Sequence, residues 1–241
     1  MSTDLELQLQ AALKRIERLE AAQACRNLMG KYSYYHTAFR NKEYVELWAD
    51  RDDCYYRFPF GEYKGIDAIR HCYLVEHGDR SDPGMDQNLK GALMMHEMDT
   101  EVLEVAEDGQ TAKGCWISPG HETMPARDLK EGEVPHGDAH WCWGKYEVEF
   151  IKHNGQWKIW HYFAGTDFAL RPGFPYASLK TEETTPCDKY LEQEFGTPTE
   201  KFEAYTSFYN YFPYPELTME HATFADTISN GPEGNPNYKK G

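Results

Sequence analysis

Histidine and tyrosine side chains at regular spacings are the residues of this 241-residue sequence best suited to chemistry. Tyr32 precedes His36 by four residues, so the two side chains share one face of a helix. Tyr35 can donate a hydrogen bond to a carbonyl, phenolate or hydroxyl oxygen of a substrate. An imidazole has an ordinary pKa of about 6.5 and exchanges a proton near neutral pH. The cluster therefore predicts acid–base chemistry at the end of a helix.

A second histidine, His161, is expected on a strand in the second half of the chain. Over residues 156–163, the side chains of Trp157, Ile159, His161 and Phe163 alternate onto one face. Because the neighbours are apolar, this face is predicted to look inward and to carry His161 with it.

The preceding predicted strand supplies a further wall of the same pocket. Tyr146 shares a face with two apolar residues, whereas Lys145 lies with two glutamates on the other face. Near the start of this strand the alternation can break, so Lys145 faces either the pocket or the outer surface, and the usual solvation of lysine favours the surface. The 17 Tyr, 12 Phe and 6 Trp also point to a cavity that holds a ring. The candidate substrate-binding residues are Tyr32, Trp48, Phe58, Trp116, Tyr146 and Lys145.

Other motifs give no metal or cofactor site. His136, Asp138 and His140 could bind zinc or iron if they lay on a strand, where alternate residues face the same way. Pro135 and Gly137 predict a loop instead, so we expect no bound metal. The glycine-rich motifs that bind dinucleotides and phosphates are absent from the sequence, and no cofactor is expected.

A nucleophilic mechanism is also disfavoured. Ser118 and His121 are close only in sequence, without the strand–turn–helix elbow of a hydrolase. Cys115 and Cys142 fall in predicted strands and are expected in the core. The six cysteines of the chain are scattered, so a disulfide framework is not expected and a reducing cytoplasm fits best.

The apolar periods predict an α+β fold in which N-terminal helices pack on one face of a curved antiparallel sheet. Helices are expected over residues 5–39, 43–49 and 66–76, and strands over 54–58, 92–105, 111–118, 139–152 and 156–163. Hairpin turns are expected at Asp108-Gly109 and Asn154-Gly155. The segments 61–65, 77–90 and 119–137 are predicted turns or loops.

Two regions of different composition are expected. Residues 1–170 form the α+β domain, and 171–241 form an extension rich in proline and aromatic residues. An extension this apolar is predicted to pack on its own domain or on a neighbouring subunit. The net charge of −15 disfavours nucleic acids and anionic membranes as partners, because both require a basic face. Short apolar runs and an acidic, polar start predict neither a membrane span nor a secretory signal, so the expected location is cytoplasmic.

Several segments, in order, resemble the SnoaL-like branch of the nuclear-transport-factor-2-like superfamily. They are the helix end 32–36, the step at 47–50, and the segments 58–73, 96–114 and 154–159, so that the resemblance covers roughly residues 22–166. It implies a cone-shaped sheet curled around helices, with a deep pocket at the open end. Members include cofactor-independent dehydratases, isomerases, cyclases and decarboxylases, together with binding-only domains.

The resemblance also implies roles for particular residues. His96 occupies the position where scytalone dehydratase-like members carry a pocket histidine; a hydrogen-bonded core histidine is the alternative. Tyr35-His36 stands where related dehydratases carry Tyr-Asp, which disfavours a mechanism that needs a carboxylate there. The chain is also similar to sphingomonad lyases that deformylate lignin-derived diarylpropanes. The candidate catalytic residues are thus His96, His161, Tyr35 and His36.

Together these features predict a cofactor-independent lyase that acts on a small aromatic substrate by dehydration or deformylation, and the resemblance to diarylpropane lyases implies a lignin-derived one. An isomerase or cyclase of a polycyclic substrate, and a non-catalytic binding or assembly domain, are the alternatives. Trp141, Trp143 and Trp160 alternate onto faces that a monomer would leave in water, which predicts a homo-oligomer, either a dimer or a trimer.

Overall fold

A computed structural model describes residues 2–58, 61–76, 93–124, 138–170 and Thr199 of the chain. The helices are α1 (Ser2–Thr37), α2 (Asn41–Val45) and α3 (Ile66–His71), the last followed by a π-helical turn at Cys72–Glu76. The strands are β1 (Tyr55–Phe58), β2 (Gly61–Lys64), β3 (Leu93–His96), β4 (Asp99–Val105), β5 (Thr111–Met124), β6 (Asp138–His153) and β7 (Gln156–Leu170). The predicted α+β class is confirmed. None of the described helices has the length and apolar character needed to cross a membrane.

The strands form one open sheet in the order β2-β1-β7-β6-β5-β3, with β4 also paired to β5. All pairs are antiparallel except β1 with β7, so the expectation of a wholly antiparallel sheet is wrong at this one pair. The parallel direction of β1 relative to β7 is already present just before β1. There Ala49 N–H donates to the Ile159 carbonyl, and Ile159 N–H donates to the Leu47 carbonyl. Periodicity in a sequence carries no information about strand direction.

The central hairpin of the sheet has the turn that its sequence predicts. Asn154 and Gly155 both have positive φ, 50° and 77°, as a two-residue type I′ turn requires. Strand β5, in contrast, runs to Met124 and includes six residues of the predicted 119–137 loop. The predicted turn at 61–65 is largely strand β2.

A bulge at Trp160 changes which residues of β7 face the helices. Glu149 pairs with His161 but Phe150 pairs with Ile159, so Trp160 is an extra residue opposite the β6 strand. Ile159 and Tyr162 therefore both point into the core, although they are three residues apart. Without this bulge, strict alternation would have placed His161 on the same face as Ile159.

The core lies between α1 and the inner face of the sheet and is unusually rich in tyrosine. Its fully buried members include Met29, Tyr32, Tyr44, Tyr73, Val148, Phe150, Ile159 and Tyr162. Burial of one such large side chain contributes about 1.5–3 kcal/mol relative to its exposure. This packing fixes the C-terminal half of α1 against the strands that carry the site described next.

Most of the extension, and with it the prediction that it packs on the domain or a neighbour, lies outside the described residues. Thr199 is described, and its Oγ1 accepts a hydrogen bond of 3.3 Å from the backbone N–H of Lys64 on β2.

Candidate functional site

The end of α1 meets the edge strand β3 through two histidines. The His36 and His96 ring centroids are 5.3 Å apart, and His36 is stacked on Tyr32 at 5.5 Å with an interplanar angle of 10°. Ser33 Oγ donates a hydrogen bond of 2.6 Å to the His96 carbonyl oxygen and so ties the strand to the helix. The expected pairing of Tyr32 and His36 on one helical face is present in this structure.

A carboxylate from β5 holds the His96 ring. His96 Nε2 lies 3.1 Å from Oε1 of Glu122, and the two side chains are 13% and 25% exposed. This pair is the part of the site nearest to solvent, whereas His36 and Tyr32 are buried. A neighbouring carboxylate holds an imidazole in one orientation, which suits a group that transfers a proton.

Tyrosine hydroxyl groups form the inner wall of the site. Tyr32 lies 5.6 Å from Tyr146 and 5.1 Å from Tyr162, centroid to centroid, and Tyr146 lies 6.2 Å from His96. Burial raises the pKa of Tyr32 to about 12, although hydrogen bonds from Tyr162 and Tyr146 lower it in part. Burial also holds the pKa of Tyr146 well above its ordinary value, against a smaller lowering by Ser118. Near neutral pH these phenols are hydrogen-bond donors.

The same face of the sheet offers three donor atoms that could hold a divalent ion. The ligand atoms of His96, Glu122 and Cys142 all lie within 4.8 Å of one another. Burial raises the pKa of the Cys142 thiol, and the Glu122 carboxylate raises it further. Since zinc binds the thiolate, this shift weakens the contribution of Cys142 to metal binding.

We expect dialysis against a strong chelator to leave kcat unchanged, and added Zn²⁺ to inhibit by occupying the His96–Glu122 pair. Steady-state assays before and after dialysis, with and without ZnCl₂, measure both effects. Activity that disappears on chelation and returns with one divalent ion would make these three residues ligands of a catalytic metal.

Gly120 provides the space that the His96 ring occupies. A Cβ atom at this position would lie 2.7 Å from the Met95 carbonyl oxygen, 2.8 Å from His96 Nδ1 and 2.9 Å from Cys142 Sγ. These separations are below van der Waals contact, and one neighbour is backbone, so strand β3 would have to move.

Gly120→Ala is therefore expected to lower the free energy of unfolding by about 1–3 kcal/mol and to lower kcat about tenfold or more, because His96 shifts. Urea denaturation and steady-state kinetics test this. Gly155→Ala is not a suitable control because Gly155 has positive φ, whereas Gly30 has open space around it. If Gly120→Ala behaves like Gly30→Ala, His96 does not depend on this space.

The structure does not bring His161 to this site, and that prediction is corrected. Because of the bulge at Trp160, His161 shares a face with Glu149, its partner on β6, and this is the face opposite Tyr162. Its Nε2 donates a 2.8 Å hydrogen bond to the Asp53 carbonyl oxygen, and its Nδ1 lies against Glu149 Oε2. The ring is stacked between Tyr55, at 4.2 Å, and Trp160, at 4.6 Å.

Two more predicted site residues lie elsewhere. Lys145 pairs with Ile117 and Gly165 on the outer face of the sheet, opposite to Tyr146. The alternation does not break at this residue, so a pocket role for Lys145 is not supported. Tyr35 is half-buried one residue from His36, on a different side of α1, and the Arg40 guanidinium lies 5.9 Å above its ring. No described contact joins Tyr35 to either histidine.

The remaining substrate-binding candidates divide between core and site. Trp48 is 3% exposed and contacts Tyr44, Tyr56 and Tyr162. Trp116 is also buried, and its ring lies over Gly114 and Phe150, away from Gly120.

Phe58 ends β1, and its side chain lies outside the described residues. The candidates that the structure places together are therefore Tyr32, His36, His96 and Tyr146.

Glu122, Ser118 and Cys142 are members of the site that the sequence analysis did not select. The sequence predicts a loop over 119–137, which includes Glu122, and it offers Ser118 only as a possible nucleophile. If the predicted strand 111–118 is extended to Glu122, alternate residues of β5 share a face, so Ser118, Gly120 and Glu122 lie on the same face. Strand β6 begins at Asp138, one residue before the predicted strand 139–152, so Asp138 and His140 lie on a strand and not in the loop that Pro135 and Gly137 predict for this motif. His136 is outside the described residues.

Comparison with protein families decides the relationship of this chain. A sequence model described as the SnoaL-like domain matches residues 17–162, which is more than half of the chain. The chain belongs to the SnoaL-like domain family. The match begins inside α1 and ends at Tyr162 of β7, so it includes the whole His36–His96–Glu122 cluster. A comparison with curated proteins finds no match.

Solved structures similar to this SnoaL-like chain are distant in sequence. A scytalone dehydratase-like protein from Novosphingobium aromaticivorans is 18% identical, with a TM-score of 0.46 over 67% of this chain and 97% of that one. A hexachlorocyclohexane dehydrochlorinase of LinA type 3 from Novosphingobium barchaimii is 16% identical, with a TM-score of 0.48 over 67% and 97%. An NTF2-like protein with a cystatin-like fold from Novosphingobium aromaticivorans is 16% identical, with a TM-score of 0.41 over 73% and 93%.

Proposed function

We propose that this SnoaL-like chain is a cofactor-independent lyase that acts on a small aromatic substrate by elimination. The observation that carries the proposal is the His96–Glu122 pair, which faces His36 in a cluster walled by tyrosines. The pair provides a base with access to solvent, and the buried phenols provide neutral hydrogen-bond donors. These are the groups that an acid–base elimination needs.

In the proposed reaction His96 removes a proton from the substrate, next to a carbon atom that the phenol group of the substrate activates. The electron pair of the broken bond forms the new double bond, and a hydroxyl group on the neighbouring carbon leaves as water with the proton that His96 removed. Tyr32 and Tyr146 stabilise the developing negative charge on oxygen by donating hydrogen bonds. If His96 instead removes the O–H proton of a hydroxymethyl group, that oxygen becomes the carbonyl oxygen of formaldehyde, the carbon–carbon bond breaks, and the electron pair left on the remaining carbon takes up the proton from His96. A positioned base contributes about 10²–10⁴-fold to such a step.

Mass spectrometry of products from a panel of hydroxylated phenolic substrates tests this proposal. A lyase gives a product lighter by one water or one formaldehyde, in parallel with disappearance of the substrate. An isomerase or cyclase would use the same residues and keep every substrate atom, so an unchanged product mass favours that alternative. Tight binding of ring compounds without any conversion would instead identify a binding domain.

A further inference from the structure

The first half of α1 carries a line of large apolar side chains in water. They are Leu5 (68% exposed), Leu9 (58%), Ile16 (50%) and Leu19 (71%). Soluble proteins rarely leave such a contiguous line uncovered, and where they do it marks an interface. Together with Ala12, these residues are called the α1 seam below.

The sheet of the same chain does not cover the α1 seam. Ile16 in the seam and Cys25 in the core are nine residues apart, which is about 900° or two and a half turns of helix, so they lie on opposite sides of α1. Cys25 is fully buried. Arg18, on the sheet side, donates a 3.0 Å hydrogen bond to the Val105 carbonyl oxygen of β4. The seam also lies largely before residue 17, where the SnoaL-like match begins.

The spacing of the seam is that of a coiled coil. Its five residues are separated by four, three, four and three positions, the repeat that keeps an apolar line facing a partner helix. In heptad terms Leu9 and Ile16 occupy position a, and Leu5, Ala12 and Leu19 occupy position d. A β-branched residue at a with leucine at d favours two parallel strands. We infer that a second copy of this chain binds along the α1 seam to form a parallel two-stranded coiled coil.

The charges beside the seam agree with this partner. Arg15 stands at position g and Glu20 at the following position e, and both are exposed. In a parallel dimer in register, the g residue of one helix meets the e residue five positions later in the other. Arg15 of each copy then faces Glu20 of the other, twice by symmetry. Leu13, at position e and 49% exposed, extends the apolar contact.

Light scattering of the full chain at micromolar concentration tests the seam. The wild-type mass is expected to be an even multiple of 28.0 kDa, and Ile16→Glu is expected to halve it or to weaken association at least tenfold. Leu7→Glu is the matched control, because Leu7 is 63% exposed on the same helix but outside the seam. A monomeric wild type, or a mass unchanged by Ile16→Glu, would overturn the inference and leave the seam to another partner.

Three further variants keep the test independent of helix stability. Ala12→Cys places one thiol at a d position, and oxidation is expected to cross-link two full-length chains only if the helices are parallel and in register. Arg15→Glu is expected to weaken the dimer, and the combination of Arg15→Glu with Glu20→Arg to restore it. Cross-linking no greater than in the wild type, or no rescue by the double charge swap, contradicts the parallel arrangement.

Discussion

Replacement of His96 by alanine is expected to lower kcat about 100-fold or more, with the fold intact, once a substrate is identified. The imidazole is the proton-transfer group nearest to solvent, and Glu122 holds it in place at 3.1 Å. Removing a general base costs about 10²–10⁴-fold in kcat, whereas the loss of packing around this ring, which is 13% exposed, lowers stability. Steady-state kinetics and circular dichroism of the variant separate the two contributions.

His121→Ala is the matched control for this experiment. His121 lies on the same strand as Glu122 but on the outer face, where its ring contacts Trp141 at 4.1 Å. It is expected to leave kcat within about twofold of wild type, because its ring lies on the face of β5 opposite to the His96–Glu122 pair. Glu122→Gln is expected to lower kcat by less than His96→Ala. Full turnover in the His96 variant would remove the histidine from the chemistry and favour a binding-only role.

The sequence predicted the parts of the fold that depend on local periods. Apolar spacing of three and four residues located α1, and Asn154-Gly155 located the β6–β7 hairpin to the residue. The inward face of β7 was wrong because a bulge at Trp160 adds one residue, and nothing local in Gln156–Leu170 marks it. A one-residue shift moves every following side chain to the other face. That is how His161 was assigned to the site.

The omission of Glu122 has a different cause. Pro119 and Gly120 are typical of a loop, yet both lie within strand β5. The Pro119 carbonyl oxygen accepts a hydrogen bond of 3.0 Å from the Glu97 N–H. Pro119 lies between the part of β5 that pairs with β4 and the part that pairs with β3. A residue without an N–H is tolerated at such a break in the ladder. Gly120 is required by the His96 ring. Both exceptions are tertiary, so local propensity could not reveal them.

Replacement of His161 by alanine is expected to lower the free energy of unfolding by about 3 kcal/mol. The Glu149 side chain beside it is fully buried, and its oxygen lies against His161 Nδ1 while Nε2 of the ring donates to the Asp53 carbonyl. Removing one member of a buried pair leaves a desolvated charge and costs about 3–5 kcal/mol. Lys113 faces Glu149 from β5 and offsets part of this cost, which places the estimate at the lower limit.

His71→Ala is the matched control, since His71 also contacts a glutamate, Glu76, at 2.9 Å, but its side chain is 61% exposed. An exposed pair contributes about 0–1 kcal/mol, so urea denaturation should separate the two alanine variants clearly. Combining His161→Ala with Glu149→Gln is expected to recover part of the loss, because the amide carries no charge to desolvate. Equal destabilisation by His71→Ala and His161→Ala would contradict the buried pair. A large fall in kcat in a fully folded His161→Ala variant would instead return this histidine to the chemistry.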